Sequence, residues 1–444
     1  MRRGHVALLG GALLLGGCVS KSAGHREARA IVDGRLHLNL VADDDATRVV
    51  GELLSKPLTA DSVVQIAVLR SPTVQAAFDR IGIARGELVS ALRLPNPTLQ
   101  ANLRFRSGRS QPDIDVGGAI DLRELVLLPL REAVASDALD AGAIGAASTA
   151  MDVGLRARFA YIDYVAALQS LALERQIVQS LDAAAELSKQ ISDAGNENVL
   201  LALGDRALLE EGRLRLEAAE TSAALMRGEL NEVMGLGADD ASTWTTSDRL
   251  ADPPAEELDL DAAVKTAMRV NLELVSARAR IDSLSNDADL GRLGGVLPRL
   301  EVGVVAERDA EGWGVGPSVG IGIPLFNQGQ GDVDRADAGM KEQAHLAARL
   351  EIGIRVRASG LATTVASSRS QAERYRTTVL PLREEILEQT QLLYNGMGTS
   401  AFVLLDAKRE AIRAGQGYVE TLRLYWRART ELELLLAGHL RDAT

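Results

Sequence analysis

One cysteine, twelve prolines and 3% aromatic residues in 444 positions set the first limits on this chain. A single cysteine excludes a disulfide framework. The five histidines, His5, His25, His37, His345 and His439, are scattered without ligand spacing, and no Cys/His cluster accompanies them. No phosphate-binding loop or hydrolase motif is present, so the residues offer no catalytic constellation and imply no cofactor or metal. The Gly-x-Gly pattern at 314–322 lies inside an alternating strand pattern, not at the start of a helix. A net charge of −12 argues against nucleic-acid binding and leaves no basic patch for anionic lipid. Beyond the N-terminus, polar residues interrupt each apolar run before the ~18–20 residues a spanning helix needs. The chain is therefore expected to be soluble or a membrane protein of the β type.

What is present begins with Arg2 and Arg3 ahead of an apolar run, VALLGGALLLGG, that ends at Cys18. That pattern is a secretory signal peptide, residues 1–17, too short to span. Leu15-Gly16-Gly17-Cys18 resembles a bacterial lipobox, which implies lipidation of Cys18. Val19 follows where lipoproteins retained in the inner membrane often carry Asp, and by that resemblance the outer membrane is the destination. Residues 18–56 are polar and weakly patterned and read as an extended lead from the lipid to the body.

Alanine, leucine, glutamate and arginine then dominate long stretches without proline, the composition of long helices. A helix is predicted from Thr59-Ala60-Asp61 to the stop at Pro95-Asn96-Pro97. Residues 97–121 alternate. Leu99, Ala101, Leu103 and Phe105 interleave with Gln100, Asn102, Arg104 and Arg106; Ile114, Val116 and Ile120 interleave with Asp113, Asp115 and Asp121. Residues 298–326 do the same: Leu300, Val302, Val304 and Ala306 alternate with polar or small residues, then Val315, Val319, Ile321 and Ile323 with Gly316, Ser318, Gly320 and Gly322. A period of two over about ten residues fits a strand with one face in lipid and one in an aqueous lumen. Arginine and aspartate suit a wet lumen better than a dry core.

The two hairpins belong to a duplication at an offset near 200. LTADSVVQIAV from Leu58 parallels LDLDAAVKTAM from Leu258, Pro97 parallels Pro298, Asp193-Ala194-Gly195 parallels Tyr394-Asn395-Gly396, and Asp205 parallels Asp406. Each half, 57–237 and 258–438, reads as helix, hairpin, very long helix, turn and helix, with a polar Pro-containing linker at 238–257 and a short tail at 439–444. The first long helix, about 127–194, would approach 100 Å at ~1.5 Å per residue. In the last helix, Leu405, Ile412, Val419 and Trp426 recur every seven residues, as do Tyr418, Tyr425 and Leu432. Two seams predict packing against neighbours on both sides. Four strands cannot close a barrel, and open edges are not tolerated in lipid. The expected fold is mainly α with a small β part: a trimeric helical barrel continued by a twelve-stranded transmembrane β-barrel, four strands from each chain.

Several motifs together carry a family resemblance over nearly all of the mature chain. They are PSVGIGIPLFNQGQG at 317–331, Tyr394-Asn395-Gly396-Met397, Leu404-Leu405-Asp406-Ala407, and the stretch from Gly415 to Leu436. The chain resembles the TolC-type outer membrane efflux proteins, in particular their lipoprotein branch. The resemblance implies a homotrimeric duct in the outer membrane, reaching into the periplasm and working with a periplasmic adaptor and an inner-membrane pump. It implies a periplasmic entrance at the helix–turn–helix tips. There Gly195 and Gly396 mark the turns, Tyr394 holds the closed state, and Asp406, with Asp205 as its counterpart, faces the lumen. The first tip departs from the family with Ser192 and Asp193 where a tyrosine is expected, and Thr399 stands where some members carry arginine. Export of small molecules or metal ions, a protein-secretion duct, and a non-channel coiled-coil scaffold lipoprotein all remain open at this level, the last disfavoured by four membrane-length strands.

Overall fold

The computed structural model describes residues 20–440 apart from 21, 37, 39–42, 106, 108–111, 195–198, 238, 247–248, 255–259 and 309–311. The predicted lead is not extended. It contains α1 (His25–Leu36) and α2 (Asp43–Leu54). Cys18 lies outside the described residues. The helix predicted from Thr59 is two helices, α3 (Ala60–Arg70) and α4 (Pro72–Ala91). Thr59 and Ser62 form a reciprocal capping box, each side chain accepting from the other's backbone N–H. Ser71 breaks the run in an extended conformation, ψ 123°, because the residue before a proline is pushed out of the α region.

The strands β1 (Thr98–Arg104) and β2 (Asp113–Asp121) follow, then α5 (Arg123–Asp193), 71 residues long and running through Pro129. Next come α6 (Val199–Val233), α7 (Leu260–Val270), α8 (Leu272–Val296), β3 (Arg299–Arg308) and β4 (Trp313–Gly322). The second long helix is α9 (Gln330–Arg374), passing through one π turn (Tyr375–Val379) into α10 (Leu380–Asn395). The last is α11 (Ala401–Leu436). The chain is thus mostly helical with one small sheet, as the pattern predicts.

Two compact units are present; the divisions between them fall inside α1, α4, α5 and α9 and at Asn271, between α7 and α8. The first holds residues 1–31, 77–147 and 272–351, and so the whole sheet. Its helical core is built from Ala28, Ala77, Ile81, Leu88, Ala135, Leu139, Ala143 and Ala146, a set rich in alanine that lets helices approach closely. At the exit of the sheet Gly295 meets Gln328 and Gly329: a Cβ on Gly295 would lie 1.9 Å from the Gln328 carbonyl oxygen. Gly329 itself holds φ +79°, a conformation other residues rarely adopt.

The second unit holds residues 32–76, 148–271 and 352–444. Ile177 and Leu181 of α5, Leu209 of α6 and Ile412 of α11 form one of its apolar clusters. Asp163 of α5 accepts from Arg423 and Arg427 of α11. Buried His439, past the end of α11, bonds Asp152 through Nε2 at 2.8 Å and Ser148 through Nδ1 at 3.2 Å. The seams of α11 are only partly helix-packed. Ile412, Val419, Tyr425 and Leu432 are buried, but Trp426 donates to the Ala251 carbonyl and Tyr418 to the Asp252 carboxylate. The polar linker therefore covers ground that the two-seam pattern assigns to a helix, because its carbonyl and carboxylate satisfy the polar ends of these aromatics. Trp244, also in the linker, is fully buried, donating to Asn231 at 2.8 Å beneath the Arg227 guanidinium.

Candidate functional site

The four strands form one antiparallel sheet in the order β1-β2-β3-β4. Each hairpin pairs internally, and β2 joins the hairpins by pairing with β3. The register decides which side chains share a face. Leu99, Gly118, Val304 and Pro317 form one cross-strand row; Ala101, Val116, Ala306 and Val315 form the next. Leu103, Ile114, Arg308 and Trp313 end this face toward the hairpin loops, and Ile120, Val302 and Val319 continue it toward the helices. The face is apolar from end to end except for Arg308 in its terminal row.

The other face is its opposite in chemistry. It carries Gln100, Asn102 and Arg104 from β1, Asp113, Asp115 and Asp121 from β2, and Arg299, Glu301 and Glu307 from β3. From β4 it receives only Gly314, Gly316, Ser318, Gly320 and Gly322. Arg104 donates to both oxygens of Asp115, at 2.9 and 2.7 Å. Arg299 pairs with Asp121 across the β2–β3 junction at 3.6 Å. Five carboxylates thus face two guanidiniums.

Burial shows that the apolar face has no cover among the described residues. Leu99 is 84% exposed, Val304 56%, Val315 72% and Ile321 63%. Exposed apolar surface on this scale marks contact with a partner or a membrane. Among the described residues the edges are also free: β1 and β4 each have a strand neighbour on one side only. Ten residues at ~3.4 Å each, tilted ~45°, give a band about 24 Å tall, close to the ~25 Å apolar band of outer-membrane strands. Trp313 at the loop end and Phe326 at the helix end are exposed, where interfacial aromatics belong. No helix among the described residues is long and apolar enough to cross a membrane.

The tip residues are placed with less company. Tyr394 is exposed near the end of α10, and its carbonyl accepts the Met397 N–H at 3.0 Å. Gly396 caps that helix, and Met397 turns the chain at φ +60°. Asp406 is exposed on α11 and accepts from Arg409, one turn along, at 2.6 Å. Asp205 is half-buried on α6. Gly195 lies outside the described residues. Arg409 is the member of this set that sequence reasoning missed; its i,i+3 spacing from Asp406 was the available signal. Val199, Leu200, Leu201 and Leu203 at the start of α6 and Met397 after α10 are exposed apolar residues. No group of three or more metal-ligating side chains occurs among the described residues.

No protein-family model matches the chain, and no curated protein matches it in sequence. Solved structures do match its fold. A membrane protein from Pseudomonas aeruginosa aligns at TM-score 0.70 with 16% identity, over 85% of this chain and 93% of that one. The outer membrane protein VceC from Vibrio cholerae aligns at 0.68 with 13% identity, over 86% and 96%. The open state of the MtrE outer membrane channel from Neisseria gonorrhoeae aligns at 0.68 with 14% identity, over 85% and 89%. The chain has the fold of these three membrane proteins, along nearly their whole length.

Proposed function

We propose that this chain is one protomer of a passive outer-membrane efflux duct, closed by three copies. The observation that carries this reading is the two-faced sheet with two open edges. In lipid each backbone N–H and C=O must be paired, so a membrane sheet has to close on itself. Four strands are too few, whereas three copies supply twelve, within the range of outer-membrane barrels. The apolar face then meets lipid, and the carboxylate-rich face lines a water-filled lumen. The MtrE likeness supports a channel built on this fold.

In this reading the signal peptide directs export and Cys18 carries lipid that adds an anchor beside the barrel. The helical part reaches into the periplasm and ends at the turns near Gly195 and Gly396, where a periplasmic adaptor and an inner-membrane pump engage. Tyr394 serves the closed state there, and Asp406 and Asp205 add negative charge to the entrance. The duct needs no cofactor, because the pump supplies the energy. Its cargo is small molecules or metal ions. A scaffold without a channel would have no use for a sheet bearing an uncovered apolar face of membrane height.

The test is fractionation followed by reconstitution. The protein is expected in the outer-membrane fraction as an assembly that survives mild detergent, and to give discrete conductance steps in planar bilayers. Recovery in the soluble periplasmic fraction with no conductance would overturn the proposal.

A further inference from the structure

The free edges carry enough information to specify how they mate. The Leu122 N–H donates to the Leu300 carbonyl at 2.8 Å where β2 meets β3, which fixes the alternation of paired and outward-pointing backbone groups across the sheet. Carried across the registers, it turns the N–H and C=O of Leu99, Ala101 and Leu103 toward the open edge of β1. On β4 the same step turns out those of Val315, Val319 and Ile321. These are apolar-face residues on both edges. Two copies can therefore join β4 to β1 antiparallel and keep both faces intact only in registers that differ by steps of two residues.

The duplication picks one of them. Pro97 corresponds to Pro298, so Leu99 corresponds to Leu300 and Gln100 to Glu301. Leu99 pairs with Gly118 and Leu300 with Ile321, so Gly118 corresponds to Ile321 and Asp121 to Pro324. Inside the chain Asp121 lies opposite Glu301. The equivalent junction between copies places Pro324 opposite Gln100, Gly322 opposite Asn102, Ile321 opposite Leu103 and Gly320 opposite Arg104.

Charge selects the same register independently. With Arg104 opposite Gly320, the next strand presents Glu301, which pairs with Gly320. Two strand spacings are about 9.6 Å. Gly320 puts no side chain between them, so a guanidinium and a carboxylate can meet over it. Two residues one way, Arg104 faces Ser318 backed by Gly303, with no charge; two residues the other way, it faces Gly322 backed by Arg299, a like charge. We infer that the β4 edge of one copy joins the β1 edge of the next with Arg104 opposite Gly320. In that register Arg104 is shared between Asp115 of its own chain and Glu301 of the neighbour. The inference rests on the proposed closure between copies and goes beyond it by naming the register.

Cysteine pairs test the register in the full-length protein, with Cys18 left in place and the parent chain as the control. Asn102→Cys is combined with Gly322→Cys, with Gly320→Cys or with Pro324→Cys, and each is oxidised with copper phenanthroline in outer-membrane fractions. Leu103 and Ile321 give a second set on the lipid face, used where a lumenal pair does not accumulate: Leu103→Cys with Ile321→Cys, Val319→Cys or Ile323→Cys. Within one chain these partners are separated by β2 and β3, so each cross-link reports contact between copies. The expected result is loss of the monomer band and a covalent trimer as the dominant species for 102/322 and 103/321. Dominance of a pair shifted by two residues overturns the register and leaves closure between copies standing. Absence of cross-links in all six variants, with the protein in the outer membrane, overturns closure as well.

Discussion

Lysine at Val304 and lysine at Val305 are adjacent changes in β3 with opposite expected consequences. Val304 lies near the middle of β3, in the row of Leu99, Gly118 and Pro317, and is 56% exposed on the apolar face. Val305 points to the other face, between Gly117 and Gly316. If the apolar face meets lipid, Val304→Lys places an ammonium close to the mid-height of a band about 24 Å tall. A lysine there costs ~2–4 kcal/mol, against ~0–1 near the interfaces. Each closed barrel carries three such sites, far enough apart to add, so the assembly loses about 6–12 kcal/mol. Val305→Lys enters water on the carboxylate-rich face and is expected to cost little. The assay is refolding yield into vesicles of outer-membrane lipid, followed by the temperature at which the detergent-resistant assembly dissociates. Val304→Lys should abolish or severely reduce the folded assembly while Val305→Lys keeps it. The depth argument adds a gradient. Val302→Lys should be harmful, whereas Leu103→Lys, in the terminal row with Arg308 and Trp313, should be the mildest of the lipid-face changes. Equal behaviour of the 304 and 305 variants would falsify the assignment of faces to lipid and lumen.

Other outcomes are open to direct measurement. Cys18→Ala should end incorporation of labelled fatty acid; continued labelling would place the lipid elsewhere. The lumenal face, with five carboxylates to two guanidiniums, should make the reconstituted pore cation-selective, and the triple change Asp121→Asn, Glu301→Gln, Glu307→Gln should move the reversal potential toward the non-selective value. Asp406→Asn should reduce cation preference less than that triple change, since Arg409 already offsets the carboxylate; a larger effect would place Asp406 at the narrowest point of the path. Gly295→Ala drives a methyl into the Gln328 carbonyl at 1.9 Å and should destabilise the chain by about 1–3 kcal/mol or more, seen as a lower midpoint in thermal unfolding.

The alternation at 97–121 and 298–326 was legible because a strand must send successive side chains to opposite faces. A chain that uses both faces in different media therefore writes both into its sequence. The duplication and the long helices were legible for similar reasons: an offset and a proline-free composition are properties of the order of residues alone. Breaks near proline were legible in kind but missed in place. Pro72 was available to end the first helix at Ser71, while Pro129 lies inside α5 without ending it, and only tertiary context separates the two.

What the linear order could not decide depends on which segments meet. The contact of β2 with β3 joins residues 180 to 194 positions apart, and nothing local to either strand names the other. That junction is what makes two hairpins one sheet, pairs Arg299 with Asp121, and sets the outward row at each edge. The linker, polar and rich in turn residues, looked like a connection alone; in the fold it satisfies Tyr418 and Trp426 and buries Trp244. Asp406, which the resemblance turns toward the lumen, has Arg409 one turn away on α11, a neighbour that helical geometry supplies and strand or coil would not. The sequence by itself determined that this chain has strands with two unlike faces, carried twice between long helices. Only the tertiary structure decided that those strands form a single sheet whose apolar face has no cover, and whose edges no partner, among the described residues. Pairing is a long-range property, settled by backbone hydrogen bonds that demand one register.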